Sequence, residues 1–356
     1  MKTTGSTLYH PVRFNRESFA GRMLERYAEK NAKIWSDLGM EQRELVREEF
    51  LSAIVSLEES LATGSPAFLL DHARWMQSRY AAENFPPGFA VSFFKTFSTV
   101  VTQQLPEDYR KTAGAFTRKA VTVLKAVPSV SGADLDAGTT LSPDARSFLN
   151  FILAGDVAKT RKVIDKALAA GTPLSGIYTG IFRPVLSETG RLWQQNRVTI
   201  AEEHFVTGAI RRIMEQVHDQ IAGTGRIPRK RRKTVVAACV GNELHEIGIR
   251  MVADFFELDG WIVYTTGANT PVKSILAAVK DRKADVVALS ITMPSNLSGL
   301  QYLVRSLRAD TDTAHVKIIV GGSPFAILPD LWHQVGADAV AATAEEAVAV
   351  ANRVTA

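Results

Sequence analysis

The stretch Thr234–Gly248, TVVAACVGNELHEIG, determines the architecture of the C-terminal third of this 356-residue chain. Its first part, TVVAACV, is a short apolar and β-branched run that ends at the polar turn GNELHE. Such a run, bounded by turn residues, is typical of a strand buried on both faces of a parallel sheet. The polar turn then lies at the carboxyl end of that strand, where ligands bind in sheets of this kind.

Further runs of the same kind follow, separated by stretches with helical periodicity. They are GWIVYTT at 260–266, ADVVALSIT at 284–292, VKIIVGG at 316–322 and ADAVAAT at 337–343. Continuous apolar strands that alternate with amphipathic helices indicate a doubly wound, Rossmann- or flavodoxin-like parallel sheet. We therefore predict an α/β domain over residues 234–356.

The chain before this domain has helical periodicity throughout. Helices are predicted at Ser18–Trp35, Glu41–Ala62, Phe68–Ala82, Phe89–Leu105 and Tyr109–Val127. A segment of low hydrophobicity, PSVSGADLDAGTTLSP, follows and is interpreted as a linker. Helical periodicity resumes over 144–222 and is enough for a small antiparallel four-helix bundle. The expected fold class is α + α/β, with a helical domain at 1–130, a bundle at 144–222 and the α/β domain.

Composition narrows the class of protein. Hydrophobic residues make up 46% and charged residues 22% of the chain, which is ordinary for a globular protein. We see neither an apolar signal region nor a membrane span, so we expect a cytoplasmic location and no membrane contact. The single cysteine, Cys239, excludes an internal disulfide, and its apolar surroundings predict a buried, inert thiol.

The net charge of +5 owes much to one basic run, RIPRKRRK, at Arg226–Lys233. A nucleic-acid contact is one interpretation of such a run. We favour a solvated interdomain linker and do not expect a nucleic-acid partner, because no helix-turn-helix or zinc-finger pattern accompanies it.

The loops that follow the first four predicted strands contain the candidate site residues. These loops are GNELHEIG at 241–248, GANTP at 267–271, SIT at 290–292 and GGS at 321–323. A lone histidine such as His245 more often caps or hydrogen-bonds a strand end than binds a ligand. The number of residues between these loops makes the pattern as a whole more specific for a ligand site than the histidine alone.

Together the loops resemble the cobalamin-binding motif Asp-x-His-x-x-Gly, Ser-x-Leu and Gly-Gly of methionine synthase, many mutases and corrinoid proteins. The resemblance implies that His245 is the lower axial ligand to cobalt and that a carboxylate at Glu243 holds its other ring nitrogen. This chain has Glu where the motif has Asp, and Thr292 where the motif has Leu. The other candidates for cofactor contact in these loops are Gly248, Asn269, Thr270, Ser290, Gly321 and Gly322. The two last glycines either let backbone approach the nucleotide tail or form a tight turn.

The predicted bundle resembles the helical cap that covers cobalamin in methionine synthase and related proteins. The resemblance lies in GDVAKTRKVIDKALAAG and ETGRLWQQNRVTIAEEH. Within it, Trp193 followed after nine residues by Glu203-His204 resembles the signature of adenosylcobalamin-dependent light sensors of the CarH and LitR type. That resemblance implies that Trp193, Glu203 and His204 surround an upper adenosyl group. Gln194 is a poor cobalt ligand, so His204 or water would have to replace that group after light.

Two functions from different classes follow from these resemblances. The first is a light sensor that binds adenosylcobalamin and is not an enzyme. It would form a dimer or higher homo-oligomer whose oligomeric state depends on light, and it would signal to an unidentified protein partner. The alternative is a corrinoid methyl carrier of a methyltransferase system. A mutase is disfavoured because the first 143 residues lack the strands of a catalytic barrel, and passive B12 storage leaves the N-terminal domain unexplained.

The N-terminal helical domain resembles the globin-like domains of stressosome-type RsbR sensors over FLLDHARWMQSRYAAENFPPGFAVSFFKTF. We interpret it as a dimerisation and relay module without a cofactor. In the alternative, as in the photocobilins, it binds biliverdin or another bilin. The residues that would line that second tetrapyrrole site are His72, Trp75, Tyr80, Phe93, Phe94 and Phe97.

Overall fold

The computed structural model describes residues 9–10, 12–126, 140–222 and 233–356. These residues form two compact units. The first unit contains the N-terminal helices together with 293–298 and 323–335, and the second contains the other described residues. Within the described ranges, no helix combines the length and the apolar character needed to cross a membrane. Of the basic run, only Lys233 is described, and its Nζ donates to Thr355 Oγ1 at 2.9 Å.

Helices form the whole N-terminal part of the first unit. They are α1 (Arg16–Lys30), α2 (Ala32–Asp37), α3 (Met40–Thr63), α4 (Ala67–Ala82), α5 (Phe89–Gln104) and α6 (Glu107–Ala126). The single helix predicted over Ser18–Trp35 is wrong, because the chain leaves helical geometry at Asn31, with φ −126° and ψ 39°. The side-chain amide of Asn31 donates to the Tyr27 carbonyl at 3.1 Å, and this local bond competes with continuation of the helix.

The aromatic side chains of the first unit form its core. Phe93, Phe94 and Phe97 are each 0% exposed, and Phe93 stacks on Phe50 with ring centroids 4.0 Å apart. Burial also lowers the pKa of His72 to about 4, so this imidazole is neutral near pH 7. The aromatic stripe that we weighed as a tetrapyrrole site is therefore packed as helix core.

Two adjacent carboxylates, Glu58 and Glu59 on α3, are fully buried in the same unit. Arg16 Nη2 lies 2.6 Å from Glu58, and Arg13 Nη1 lies 3.0 Å from Glu59. The hydroxyl of Tyr9 donates to Glu59 at 2.6 Å. Buried charges are tolerated when they are paired in this way, so these contacts fix the segment before α1 on α3.

The second unit begins with the bundle. Its helices are α7 (Pro143–Leu153), α8 (Val157–Ala169), α9 (Leu174–Ile177), α10 (Arg183–Gln194) and α11 (Ile200–Ala222). A π-helical segment, Tyr178–Phe182, joins α9 to α10, so these form one continuous helix and the bundle has four. Ser142 and Asp156 cap α7 and α8 by accepting from backbone N–H groups in their first turns.

A five-stranded sheet follows, with the order β2-β1-β3-β4-β5 and every pair parallel. The strands are β1 (Thr234–Val240), β2 (Ile262–Thr270), β3 (Val286–Ser290), β4 (Lys317–Gly321) and β5 (Ala339–Val340). The helices between and after them are α12 (Ile247–Leu258), α13 (Val272–Asp281), α14 (Leu297–Ala309), α15 (Ser323–Ile327), α16 (Leu331–Val335) and α17 (Ala344–Val354). The predicted doubly wound class is confirmed, and its switch point lies between β1 and β3.

The extent of the strands differs from the sequence prediction. The run GWIVYTT ends at residue 266, whereas β2 continues to Thr270. Two register shifts against β1 absorb the extra length, and Asn269 adopts a positive φ of 49°. Asn269 and Thr270 therefore end a strand, where we expected a loop. The fifth run, ADAVAAT, forms only the two-residue β5.

The bundle and the α/β domain share one hydrophobic cluster within the second unit. Tyr178 packs against Phe255 on α12, with ring centroids 6.1 Å apart. Ion pairs also join α11 to α12 and its N-cap residue Glu246: Arg211–Glu246 at 2.9 Å, Glu215–Arg250 at 3.0 Å and His218–Glu257 at 2.8 Å. Partly exposed pairs of this kind contribute only about 0.2–1 kcal/mol each, so the shared apolar core provides most of the attachment.

The His218–Glu257 pair makes this attachment depend on pH. The hydrogen bond to Glu257 raises the pKa of His218 above its usual 6.5. A group whose pKa is raised by folding stabilises the fold fully below its unfolded pKa, and this stabilisation is lost as the pH rises through the folded pKa.

We therefore expect the wild type to exceed a His218→Gln variant in free energy of unfolding most clearly below about pH 6.5. The difference should shrink as the pH rises above that value. Urea unfolding of both proteins between pH 5 and pH 9 measures it. A difference that is constant across this range would contradict the assignment.

Candidate functional site

A buried carboxylate stands at the centre of the candidate site. Glu243, in the loop after β1, is 0% exposed. Its Oε1 accepts from the backbone N–H of His245 at 3.1 Å, and its Oε2 accepts from the backbone N–H of Thr292 at 2.6 Å. The Glu243 side chain thus ties the loop after β1 to the end of β3, at the switch point of the sheet.

The same carboxylate fixes the imidazole of His245. The Nδ1 atom lies 2.5 Å from Glu243 Oε1, while the His245 side chain is 59% exposed. When Glu243 is ionised, Nδ1 donates to it, and Nε2 is the ring nitrogen left for another partner. The hydrogen bond to Glu243 is the largest cause that raises the pKa of His245, and the charge of Glu203 adds to it. A more basic imidazole is a better metal ligand.

Both departures from the expected motif have a structural explanation. The longer side chain of Glu243 reaches the backbone of the neighbouring strand as well as His245. The contact at Thr292 uses its backbone N–H, so this bond does not require the leucine that is usual at that position. The Glu243 side chain therefore joins the first predicted loop to the backbone of the third.

Backbone groups at the end of β2 also brace this loop. The N–H of Asn269 donates to the Glu243 carbonyl at 2.8 Å, and the Gly241 N–H donates to the Thr270 carbonyl at 3.3 Å. Gly241 has a φ of 66°, which glycine adopts without strain. Asn269 and Thr270 thus act on the candidate site through their main chain.

A cavity of about 270 Å³ opens beside α12 and the ends of β3 and β4. Its lining includes four of the predicted residues, Gly248, Ser290, Gly321 and Gly322. The bundle contributes Tyr178, Thr179, Arg183, Leu186 and Ser187 to the same lining. Sequence reasoning missed these bundle residues, because no spacing rule connects them to the loops of the α/β domain.

The two glycines at the end of β4 are required by the protein itself. A Cβ on Gly322, which has a φ of 110°, would lie 1.8 Å from the Ile291 carbonyl oxygen. A Cβ on Gly321 would lie 2.8 Å from the Ala341 carbonyl oxygen. Both distances are too short for any side chain, so close backbone packing explains these glycines before any ligand is considered.

The three residues of the bundle signature lie near the α10–α11 connection. Trp193 is half-buried in the last turn of α10, and Glu203 and His204 lie in the first turns of α11. Glu203 Oε2 lies 2.7 Å from His204 Nδ1, and His204 is 72% exposed. Of the three, Glu203 is the one whose charge raises the pKa of His245.

Glu246 is a further residue that the motif did not indicate. Its Oε1 accepts from Arg211 of the bundle at 2.9 Å, and its Oε2 accepts from the Ala268 N–H at 3.3 Å. Glu246 follows His245 directly, so it connects the histidine loop both to the bundle and to β2. Nearby Cys239 is fully buried, and burial raises the pKa of its thiol to about 12, as expected for an inert cysteine.

The donor set fits a metal that is held mainly by its own macrocycle. In the described part of the chain, no group of three or more His, Cys, Asp or Glu side chains could enclose a bare ion. A corrin supplies the equatorial ligands of cobalt and needs one axial donor from the protein. The exposed Nε2 of His245, with Nδ1 fixed by Glu243, has the chemistry for that role.

Comparison with known proteins relates two regions of this chain to B12-binding families. Residues 233–351 match a family described as B12 binding domain, and residues 145–217 match a second family with the same description. Dimethylamine corrinoid protein 2 of Methanosarcina acetivorans is 29% identical over 200 residues, which are 56% of this chain and 84% of that protein. Dimethylamine corrinoid protein 1 of Methanosarcina mazei is 28% identical over the same shares of the two chains.

The fold of part of the chain is also found in a solved structure. The Methanosarcina barkeri monomethylamine corrinoid protein is similar with a TM-score of 0.52 and 22% identity. The similarity covers 58% of this chain and 96% of that chain. None of the matched families covers the N-terminal helices α1–α6.

A Glu243→Gln variant tests the role of the buried carboxylate. The amide keeps the size of the side chain but loses the charge and one acceptor, so His245 is no longer fixed. We expect cobalamin affinity to fall by about 10–100-fold, measured by titration of the apoprotein with hydroxocobalamin and absorption spectroscopy. Asp281→Asn, a similar change at an exposed position of α13, is the control and should bind normally. Equal affinity of both variants would refute this role.

A Gly322→Ala variant tests the close approach to Ile291. We expect a loss of about 3 kcal/mol or more in unfolding free energy, or failure to fold, because both φ and the contact distance are forbidden. The matched control is Gly190→Ala in α10, where a Cβ meets no atom within 4 Å. That change should stabilise the protein by about 0.5–1 kcal/mol. Chemical denaturation that gave both variants wild-type stability would contradict the geometry.

Proposed function

We propose that this chain, of which two regions match B12 binding domain families, binds a corrinoid and carries a methyl group on it between partner methyltransferases. The observation that carries the proposal is the pairing of exposed His245 with buried Glu243 at the switch point of the sheet. The homology to dimethylamine corrinoid proteins over 56% of the chain supports the carrier function. Bound cobalamin would supply a cobalt centre that accepts and releases a methyl group.

The residues of the α/β domain would hold the lower side of the corrinoid. His245 would ligate cobalt through Nε2, and Glu243 would keep the proton of the imidazole on Nδ1. The cavity lined by Gly248, Ser290 and Gly321 would take the nucleotide tail. Thr292 would keep the Glu243 carboxylate in place through its backbone N–H.

The bundle would cover the upper side. Trp193, Glu203 and His204 lie near the α10–α11 connection, and the charge of Glu203 already acts on His245. These side chains would exclude water from the upper face of the corrinoid until a partner enzyme binds there and displaces them. A carrier of this kind needs a protein partner, which we propose to be a methyltransferase.

The cobalt ligand can be identified by electron paramagnetic resonance. Protein labelled with ¹⁵N only at histidine is loaded with cob(II)alamin. We expect the nitrogen superhyperfine pattern to be a doublet, because the histidine nitrogen replaces the ¹⁴N of the cofactor's own base. Persistence of a triplet would show that His245 is not the ligand. His245→Ala should lose the doublet in the same experiment.

Methyl transfer tests the function itself. Protein reconstituted with hydroxocobalamin is reduced with titanium(III) citrate and offered dimethylamine together with a dimethylamine methyltransferase, and then methyl iodide alone. We expect methylation in at least the second reaction, followed by demethylation when a thiol acceptor and its methyltransferase are added. Protein that stays unreactive while free cobalamin is methylated would exclude a carrier.

A light sensor is the second candidate, and the spacing from Trp193 to Glu203-His204 favours it. In this case the upper ligand would be an adenosyl group, and its loss in light would change the homo-oligomeric state and signal to a protein partner. Reconstitution with adenosylcobalamin, followed by size exclusion in the dark and after green light, separates the two functions. A light-dependent shift in elution would favour the sensor. Expression in the presence of biliverdin tests the bilin alternative. A red absorption band in the purified protein would indicate that the N-terminal helices bind a bilin.

A further inference from the structure

Charged side chains of α11 and α12 alternate in sign along the contact between the two helices. On α11 the sequence Arg211, Glu215, His218 follows the spacing of one helical face. On the other side stand Glu246, Arg250 and Glu257, in the same order along the chain. Each α11 residue pairs with the corresponding α12 residue, at distances of 2.9, 3.0 and 2.8 Å.

These pairs connect the bundle to the α/β domain, and the first two remain accessible to water, whereas the His218 side chain of the third is 18% exposed. The side chains of Arg211 and Glu215 are 51% and 50% exposed, and that of Arg250 is 33% exposed. Ion pairs at such positions are weak and are screened by salt. The row can therefore break and form again without the unfolding of either element.

The first pair of the row is joined to the histidine loop. Arg211 bonds Glu246 Oε1, and Glu246 Oε2 accepts from the Ala268 N–H of β2. Glu246 is the residue after His245. A movement of α11 away from α12 therefore removes one of the two partners that hold this glutamate beside the cobalt ligand.

The bundle also forms part of the cavity wall. Tyr178, Thr179 and Arg183 face the same space as Ser290 and other residues at the strand ends. A ligand as large as a corrinoid, seated at His245 with its tail in this cavity, is enclosed from both sides. We expect access to such a ligand to increase when the bundle and the α/β domain separate.

We propose that the three ion pairs between α11 and α12 form an electrostatic latch that sets how often the bundle opens over the cofactor. The proposal rests on the proposed function only in that a corrinoid binds at His245. Charged residues of a partner enzyme that compete for Arg211 or Arg250 would release the latch and gain access to the upper face.

Charge reversal within the middle pair tests the latch. Glu215→Arg and Arg250→Glu each place like charges together, and the double variant restores an opposite pair. The probe is cyanide, which replaces the upper ligand of protein-bound hydroxocobalamin and changes its absorption spectrum. We expect each single variant to accelerate this exchange by about two- to tenfold, and the double variant to return to the wild-type rate. High salt should accelerate the wild type.

The control is Lys280→Glu, which breaks an exposed pair with Asp312 inside the α/β domain, at 2.6 Å in the wild type. Its exchange rate should equal that of the wild type. Single variants with wild-type rates, or a double variant that stays as fast as the singles, would overturn the latch.

A second readout does not require the cofactor. In the apoprotein, hydrogen–deuterium exchange of the facing surfaces of α11 and α12 should increase in the single variants and recover in the double variant. Failure of the protein to bind hydroxocobalamin would contradict the proposed function, but the hydrogen–deuterium exchange of the apoprotein would still test the latch. Unchanged hydrogen exchange in all variants would remove the latch whether or not the protein carries methyl groups.

Discussion

The carboxylate of Glu243 has no exposure to water and therefore needs donors from the protein. An unpaired buried carboxylate costs several kcal/mol, so the loops around it must supply these donors or the charge is lost. Its donors are the backbone and Nδ1 of His245 and the backbone of Thr292. One desolvated charge thus fixes the conformation of the first loop, the end of β3 and the tautomer of the exposed imidazole.

The sheet makes this arrangement available. In the order β2-β1-β3-β4-β5, the loops after β1 and β3 leave neighbouring strands in opposite directions along the sheet. The backbone packing at Gly321 and Gly322 then holds the ends of β3, β4 and β5 close together. These backbone contacts leave a cavity at the strand ends that side chains of the bundle complete. The cavity of the candidate site is therefore formed by both the bundle and the α/β domain of the second unit.

The first unit obeys a different constraint. Its core is aromatic, and its two buried glutamates on α3 are paired with Arg16 at the start of α1 and with Arg13 before it, while Tyr9 donates a hydrogen bond to Glu59. These polar contacts stabilise the packing of the helices. The aromatic stripe forms the core of the unit. The two B12 binding domain families match residues 145–217 and 233–351, so helices α1–α6 of this unit lie outside both matches.

Sequence patterns determined the alternation of strands and helices and the parallel sheet, because periodicity is a local property of the chain. The role of His245 came from a resemblance to the cobalamin-binding motif and stays a prediction. Sequence patterns did not determine where strands end. Asn269 and Thr270 extend β2 because bulges against β1 can absorb the extra residues, and pairing across strands is invisible in a single sequence. The reach of Glu243 to Thr292, the clash that forbids a side chain at Gly322 and the ion pairs of α11 with α12 join residues that are distant in the chain. Only the tertiary structure decided these contacts, since their energy depends on distances that folding alone establishes.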